Sequence, residues 1–303
     1  MQDLAERIRQ GDLRALARAA TIIENRMPQA EALLRELFPL TGQAVIYGIT
    51  GPPGAGKSTV TNELVKALRA EGAMVGVLAV DPSSPFSGGA ILGDRIRMQQ
   101  HHADAGVFIR SLATRGSLGG LAAATLELCL LLDAAGRQSI LVETVGVGQD
   151  EVDIVRLADV TVVVLVPGMG DDVQAIKAGI MEIADVFLIN KSDQPGAERL
   201  EQEIRAVFAT AHQPREIPIV KTVASSGQGI TEALAAMRQV QVSKPRQAVQ
   251  QWERRLRQML VERLLGRVDA ASLRHASEAV AARREDPYTA VARLVETMLG
   301  RIR

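Results

Sequence analysis

The sequence predicts an α/β fold, with a mostly parallel central sheet flanked by helices and helical extensions at both ends. Three observations carry this prediction. Between residues 44 and about 224, β-branched apolar runs alternate with helix-favouring stretches, as a parallel sheet with crossover helices requires. Many of those runs are continuously apolar, as strands covered on both faces must be. The third is the stretch 45–59, where an apolar run leads through a glycine-rich loop into a helix-favouring run at 60–68.

Taken in order, residues 1–40 form an N-terminal helical extension. Gly11 breaks a first helix, Asp12 caps a second and Pro28 separates a third. Leu13, Leu16, Ala17, Ala20 and Ile23 give the second helix one apolar face, expected to pack on the sheet domain. That domain, 41–230, has expected strands at 45–49, 75–80, 107–111, 139–143, 160–166, 186–190 and 217–222. Its expected helices lie at 58–71, 119–135, 171–183 and 197–211. Residues 231–303 return to helix, as a C-terminal region with a break at Lys244-Pro245-Arg246. There, 247–265 carries dense charge beside Trp252, Leu256, Met259, Leu260 and Leu264, and Asp286-Pro287 starts the last helix by cap and first-turn proline. Arg254, Arg255 and Arg257 invite a nucleic-acid reading, but Glu253 and Glu262 interleave and aromatics are scarce, so a solvated face accounts for them.

Bulk properties exclude several classes. Lys+Arg and Asp+Glu both number 35 among 303 residues, so no global field draws the chain to nucleic acid or an acidic membrane. The one cysteine, Cys129, rules out an internal disulfide framework and suits a reducing cytosol. Its leucine neighbours make it a buried core thiol. The N-terminus lacks the apolar core of a signal peptide, and the apolar stretch 121–135 is short and interrupted by Glu127 and Asp133. The expectation is a soluble, cytoplasmic protein.

The glycine-rich loop carries the chemistry. Gly51-Pro52-Pro53-Gly54-Ala55-Gly56-Lys57-Ser58 fits G-x-x-x-x-G-K-[ST], with Thr59 following. Gly51, Gly54 and Gly56 let backbone N–H groups point inward, where they and the positive end of the next helix hold a polyphosphate. Lys57 reaches the terminal phosphates and the Ser58 hydroxyl can ligate Mg²⁺. A P-loop NTPase fold follows.

Asn190-Lys191-Ser192-Asp193 ends a buried strand farther on. An Asp193 carboxylate accepts from both N1–H and the exocyclic amine of guanine, a donor pair that adenine lacks. Asn190 can reach the other edge of the base and the Lys191 stem can cover its face. The competing reading makes Ser192 or Asp193 a helix cap. The loop 222–229, with Val223 and Ala224, resembles the last guanine loop of GTPases, which implies a backbone amide near Ala224 meeting the base oxygen. Asp81, Asp94 and Glu143 follow early strands and are candidate carboxylates for Mg²⁺, directly or through water. The Gly146 amide is placed to sense a γ-phosphate.

Together, 51–59, Val80-Asp81-Pro82-Ser83-Ser84, Gly93-Asp94-Arg95-Ile96-Arg97-Met98, 143–149, 167–179 and 190–193 resemble the methylmalonyl-CoA mutase-associated GTPases. That group includes the ArgK-like bacterial G proteins and the human cobalamin-disorder type A protein. The resemblance runs over nearly the whole chain. It implies a GTP-hydrolysing chaperone that gates adenosylcobalamin loading and the protection or reactivation of a partner acyl-CoA mutase. It also implies a homodimer held largely by the C-terminal helices, and an adenosyltransferase as a further partner. The metal ligands would match Ser58, Asp81, Asp94 and Glu143. Switch segments would correspond to 86–98, 143–151 and 168–179, with Asp171, Asp172, Gln174 and Lys177 contacting partner or nucleotide.

Two departures matter. Ras-like switches begin D-x-x-G with Asp and follow its Gly with Gln, whereas Glu143 and Val147 stand at those places here. An apolar side chain cannot orient the attacking water, so Gln149 or a partner residue must do so, or hydrolysis is slow. The catalytic candidates are therefore Lys57, Glu143 and Gln149. Val223 also stands where the base loop commonly has Ser.

Two other functions compete. A metabolic kinase of an amino-acid transport system needs an acceptor pocket and preferably ATP, against which Asn190–Asp193 argues. A metal-insertion GTPase needs a Cys/His cluster, but the chain has one Cys and four His, and adjacent His101-His102 reads as a polar helix end. Methylmalonyl-, isobutyryl-, ethylmalonyl- and hydroxyisobutyryl-CoA mutases all stand as candidate partners.

Overall fold

The computed structural model describes residues 2–81, 99–101, 103–113, 120–144, 157–168, 184–209, 216–243 and 248–300. The apolar runs form strands because β-branched side chains suit a pleated surface buried on both sides. They are β1 (Val45–Thr50), β2 (Val75–Asp81), β3 (Val107–Ala113), β4 (Ser139–Glu143), β5 (Val160–Leu165), β6 (Val186–Ile189) and β7 (Ile219–Lys221). All seven pair in parallel, in the order β3-β2-β4-β1-β5-β6-β7. β4, β5 and β6 are buried at every residue. β7 begins at Ile219 rather than 217: Pro218 has no N–H for the ladder, and its carbonyl accepts from the Phe187 N–H at 2.9 Å. The strand order turns about β1, and open sheets of this kind bind ligands beyond the carboxyl ends of the strands at such a point.

The helices of this unit are α1 (Gln2–Arg9), α2 (Leu13–Glu24), α3 (Ala30–Leu37), α4 (Lys57–Ala70), α5 (Gly120–Ala134), α6 (Ala197–Ala209) and α7 (Ile230–Ser243). Asp12 caps α2, its Oδ1 accepting from the N–H groups of Arg14 at 2.8 Å and Ala15 at 3.1 Å. Alternation along each strand splits the core into two faces. Leu78, Val80, Ile140 and Val142 meet Leu128, Leu131 and Leu132 of α5, against which α2 and α3 lay Leu16, Ile23, Leu33 and Leu37. Ile49, Leu141, Val162 and Val164 point the other way, to Val60, Leu64 and Leu68 of α4 and to Leu234 and Met237 of α7. Phe187, Ile189, Val163 and Leu165 pack with Leu200 and Ile204 of α6. Arg110 of β3 and Glu24 of α2 form an ion pair with both side chains less than a fifth exposed. Cys129 is buried, and burial pushes its thiol pKa up, as a core thiol requires.

The chain divides into two compact units, Met1–Pro245 and Arg246–Arg303. The second contains α8 (Ala248–Leu265), α9 (Ala270–Ala281) and α10 (Pro287–Gly300). Asp269 caps α9 through the Ser272 N–H at 2.7 Å, and Asp286 caps α10 through the N–H groups of Tyr288 at 3.0 Å and Thr289 at 3.1 Å. Arg257 pairs with Glu253 one turn earlier on an exposed face of α8. No helix among the described residues is long and apolar enough to cross a membrane.

Candidate nucleotide site

The phosphate loop joins β1 to α4, and two of its glycines have no substitute. Gly51 has φ 140°, and a Cβ there would run into the Val164 carbonyl oxygen of the neighbouring strand. Gly56 has φ 86°, and a Cβ there would lie 2.5 Å from Asn190 Nδ2. Pro53, Gly54 and Thr59 are exposed, whereas Ala55, Lys57 and Ser58 are buried. Lys57 Nζ donates to the carbonyls of Gly51 at 2.8 Å and Pro52 at 3.1 Å, which fixes the ammonium against the loop. A fixed cation beside a helix N-terminus suits a polyphosphate.

Next to the loop lies the end of β4. Parallel register sets Glu143 beside Ile49 of β1 and Ala79 of β2. Ser58 Oγ donates to Glu143 Oε1 at 2.6 Å, and both residues are buried. A hydroxyl and a carboxylate side by side are hard oxygen donors, so this pair fits Mg²⁺. Thr144 Oγ1 donates to Thr50 Oγ1 at 3.0 Å, tying the chain after β4 to the start of the loop. Nothing in the sequence pattern singled out this threonine pair. The Asp81 backbone closes β2 in register with Ala113.

On the base side, Asn190 links three loops. Its Nδ2 donates to the Ala55 carbonyl at 2.9 Å, and its Oδ1 accepts from the Ala224 N–H at 3.1 Å and the Thr222 hydroxyl at 3.3 Å. Both hydrogen-bonding ends of the amide thus serve the protein, and the Ala224 N–H is engaged with it. Lys191, at φ 54°, sends its ammonium back to the Gly54 carbonyl at 3.1 Å, so its stem spans the gap between the base loop and the phosphate loop. Asp193 is exposed, and α6 starts only at Ala197, so neither Ser192 nor Asp193 stands at its cap. Val223 precedes the short turn Ala224–Ser226, and its N–H donates to the Gln228 carbonyl at 3.0 Å.

Gly51 to Thr59, Glu143, Asn190 to Asp193 and Val223-Ala224 therefore lie together at the carboxyl end of the sheet. Asp94, Gly146, Gln149, Asp171, Asp172, Gln174 and Lys177 lie outside the described residues. One expectation is corrected. His101 closes the short 3-10 helix Gln99–His101, but not as a solvated polar end: it is buried at 8% exposure, and its Nε2 lies 2.9 Å from Asn62 Oδ1. Adjacent histidines suggested solvent because the sequence does not reveal the buried amide that receives one of them.

Comparison with known proteins gives this site a lineage. A family model described as methylmalonyl-CoA mutase-associated GTPase MeaB matches residues 16–277. A Pyrococcus abyssi protein named as a GTPase is 48% identical over 315 residues, spanning 99% of this chain and 97% of its own. The mouse methylmalonic aciduria type A homolog, named as mitochondrial, is 38% identical over 251 residues, covering 76% of this chain and 60% of its own. A crystal structure described as LAO/AO transport system kinase aligns with a TM-score of 0.71 at 30% identity, over 98% of this chain and 97% of that one. A family match across most of the chain, joined to near-full-length similarity to a named GTPase, makes this protein a GTPase belonging to the MeaB family of methylmalonyl-CoA mutase-associated GTPases.

Proposed function

We propose that this GTPase is the G-protein chaperone of an adenosylcobalamin-dependent acyl-CoA mutase of the methylmalonyl-CoA mutase type. It gates adenosylcobalamin loading and protects or reactivates the mutase, with an adenosyltransferase as a further partner. The observation that carries this reading is the mutase-associated family match over 16–277, on a chain whose phosphate and base loops meet at the carboxyl end of the sheet.

Within the site, loop amides from Gly51 to Thr59 hold the phosphates while Lys57 draws charge off the terminal group. Asp193 reads guanine, Lys191 covers the base, and the Val223–Ala224 loop faces its oxygen. Ser58 and Glu143, with Asp81 and Asp94, would hold Mg²⁺, which when bound offsets phosphate charge. Gly146 senses the γ-phosphate and Gln149 orients the attacking water, since Val147 cannot. Asp171, Asp172, Gln174 and Lys177 report the nucleotide state to the mutase. The homodimer forms through the C-terminal helices, a reading supported by exposed Leu256, Met259 and Leu260 on α8 and Val291 and Val295 on α10.

The test is single-turnover GTP hydrolysis with and without the cognate mutase. The free protein hydrolyses slowly, and the mutase raises the rate about tenfold or more, within the range of partner-supplied groups. A rate indifferent to the mutase overturns the chaperone reading. Preference for ATP over GTP would instead favour the transport-kinase description attached to the structural relative.

A further inference from the structure

We infer that Thr144 is a positioning residue for the Glu143 carboxylate: its buried hydroxyl, bonded to that of Thr50, fastens the end of β4 to the root of the phosphate loop and holds Glu143 against Ser58. The inference rests on the proposed Mg²⁺ role of Ser58 and Glu143, and its test separates the two.

The strands part at this point. β4 keeps its register with β1 and β2 as far as Glu143, which stands beside Ile49 and Ala79. Side chains alternate across a sheet, so Glu143 shares a face with Leu141 and points to α4, where Ser58 Oγ donates to it at 2.6 Å. Thr144 falls on the opposite face, that of Val142. Two hydrogen bonds carry the β1–β4 pairing one residue further. The Thr144 N–H donates to the Ile49 carbonyl at 3.0 Å, and Thr144 Oγ1 donates to Thr50 Oγ1 at 3.0 Å.

The hydroxyls are the unexpected part. Both threonines are 1% exposed, and a buried hydroxyl is costly unless it is bonded. Valine has the same shape and fills the neighbouring places: Val142 lies two residues before Thr144, and Val163 stands in register with Thr50. An apolar pair would pack there as well. A hydrogen bond adds what packing lacks, a fixed direction and separation between the two strands.

Thr50 is a firm anchor for that bond. It is paired to β5 through Val163, and Gly51 after it lies so close to the Val164 carbonyl that no Cβ fits. Strand ends fray when few contacts hold them, and a fraying end carries its last side chain away with it. The last side chain of β4 is Glu143. Joining Thr144 to Thr50 therefore keeps the carboxylate in step with the loop that carries Ser58, at a distance of one residue.

The experiment compares Thr144→Val, Thr144→Ser and the double variant Thr50→Val with Thr144→Val, using Glu143→Gln as the metal control. Serine keeps the hydroxyl; valine keeps the shape. Binding of guanylyl imidodiphosphate is followed by calorimetry across a Mg²⁺ titration, urea unfolding gives stability, and amide exchange at 143–144 is followed in the nucleotide-free protein. Thr144→Val should raise the Mg²⁺ needed for half-maximal binding about fivefold, the scale of losing one buried hydrogen bond. It should also speed exchange at the Thr144 N–H, while GDP affinity in EDTA stays within about twofold. Thr144→Ser should behave as wild type throughout. The double variant removes both ends of the bond, so its unfolding midpoint should rise above that of Thr144→Val while its Mg²⁺ requirement stays high. A requirement that returns to wild type along with the midpoint makes the pair a matter of stability alone and overturns the inference. Serine behaving like valine, or wild-type exchange in Thr144→Val, overturns it as well. If Glu143→Gln leaves the Mg²⁺ requirement unchanged, the metal reading falls, and the exchange data still decide the fastening.

Discussion

At Asn190 the side-chain oxygen takes the Ala224 N–H and the Thr222 hydroxyl while the nitrogen reaches the Ala55 carbonyl. A residue read from sequence as a base contact is thereby a brace between loops. Asn190→Ala should lower unfolding stability by about 3 kcal/mol, because it strands buried groups on two loops at once. Urea unfolding measures this, and GDP affinity should fall with it. Asp193 is the contrasting case, exposed and without a cap role at α6. Asp193→Asn sets a donor against the base's own donors, so GDP should weaken by about 2–4 kcal/mol while xanthosine diphosphate gains. Calorimetry with both nucleotides checks it, and unchanged GDP affinity would remove Asp193 from recognition. These residues were legible because the G-x-x-x-x-G-K-[ST] and N-K-x-D spacings follow from ligand geometry. Asn62 and the Thr50–Thr144 pair were not, since their partners lie far off in sequence and nothing local marks them.

Among the elements, the described strands start and end close to their apolar runs, because residues buried on both faces leave little freedom in where a strand begins. β7 departs where Pro218 cannot donate, a constraint visible in the sequence once the pairing partner is known. α7 departs in another way. Sequence order groups it with the C-terminal helices, but Ile230, Ala233, Leu234 and Met237 pack on β5, β6 and α4, and the first compact unit accordingly runs to Pro245. Spacing shows that a helix has an apolar face and not what covers it. For α2 the cover is α5, and Ile23 in that seam is fully buried. Ile23→Ala should cost about 2–5 kcal/mol of stability, the range for removing a buried branched side chain. A denaturant midpoint unmoved by the change would mean that α2 is peripheral to folding of the sheet unit.

For the molecule as a whole, Leu256 and Leu260 are about 60% exposed one turn apart on α8, in a unit whose other helices also present apolar residues to solvent. If the proposed dimer uses this surface, Leu256→Glu with Leu260→Glu should give a single-chain mass by light scattering and leave GDP binding in place. A dimer persisting in that double variant would move the interface elsewhere. The seam between α2 and α5 has a consequence for synthesis. About 110 residues separate Glu24 from Ala134, so at ribosomal speeds the apolar face of α2 waits roughly 5–20 s for its cover. Throughout that interval Leu16 and Ile23 sit on a nascent chain with their folded partner still untranslated, and a chaperone that binds extended apolar segments has its best opportunity there. Ribosome-bound chains stalled before α5 should be held by such a chaperone, and chains stalled well beyond β4 should be released.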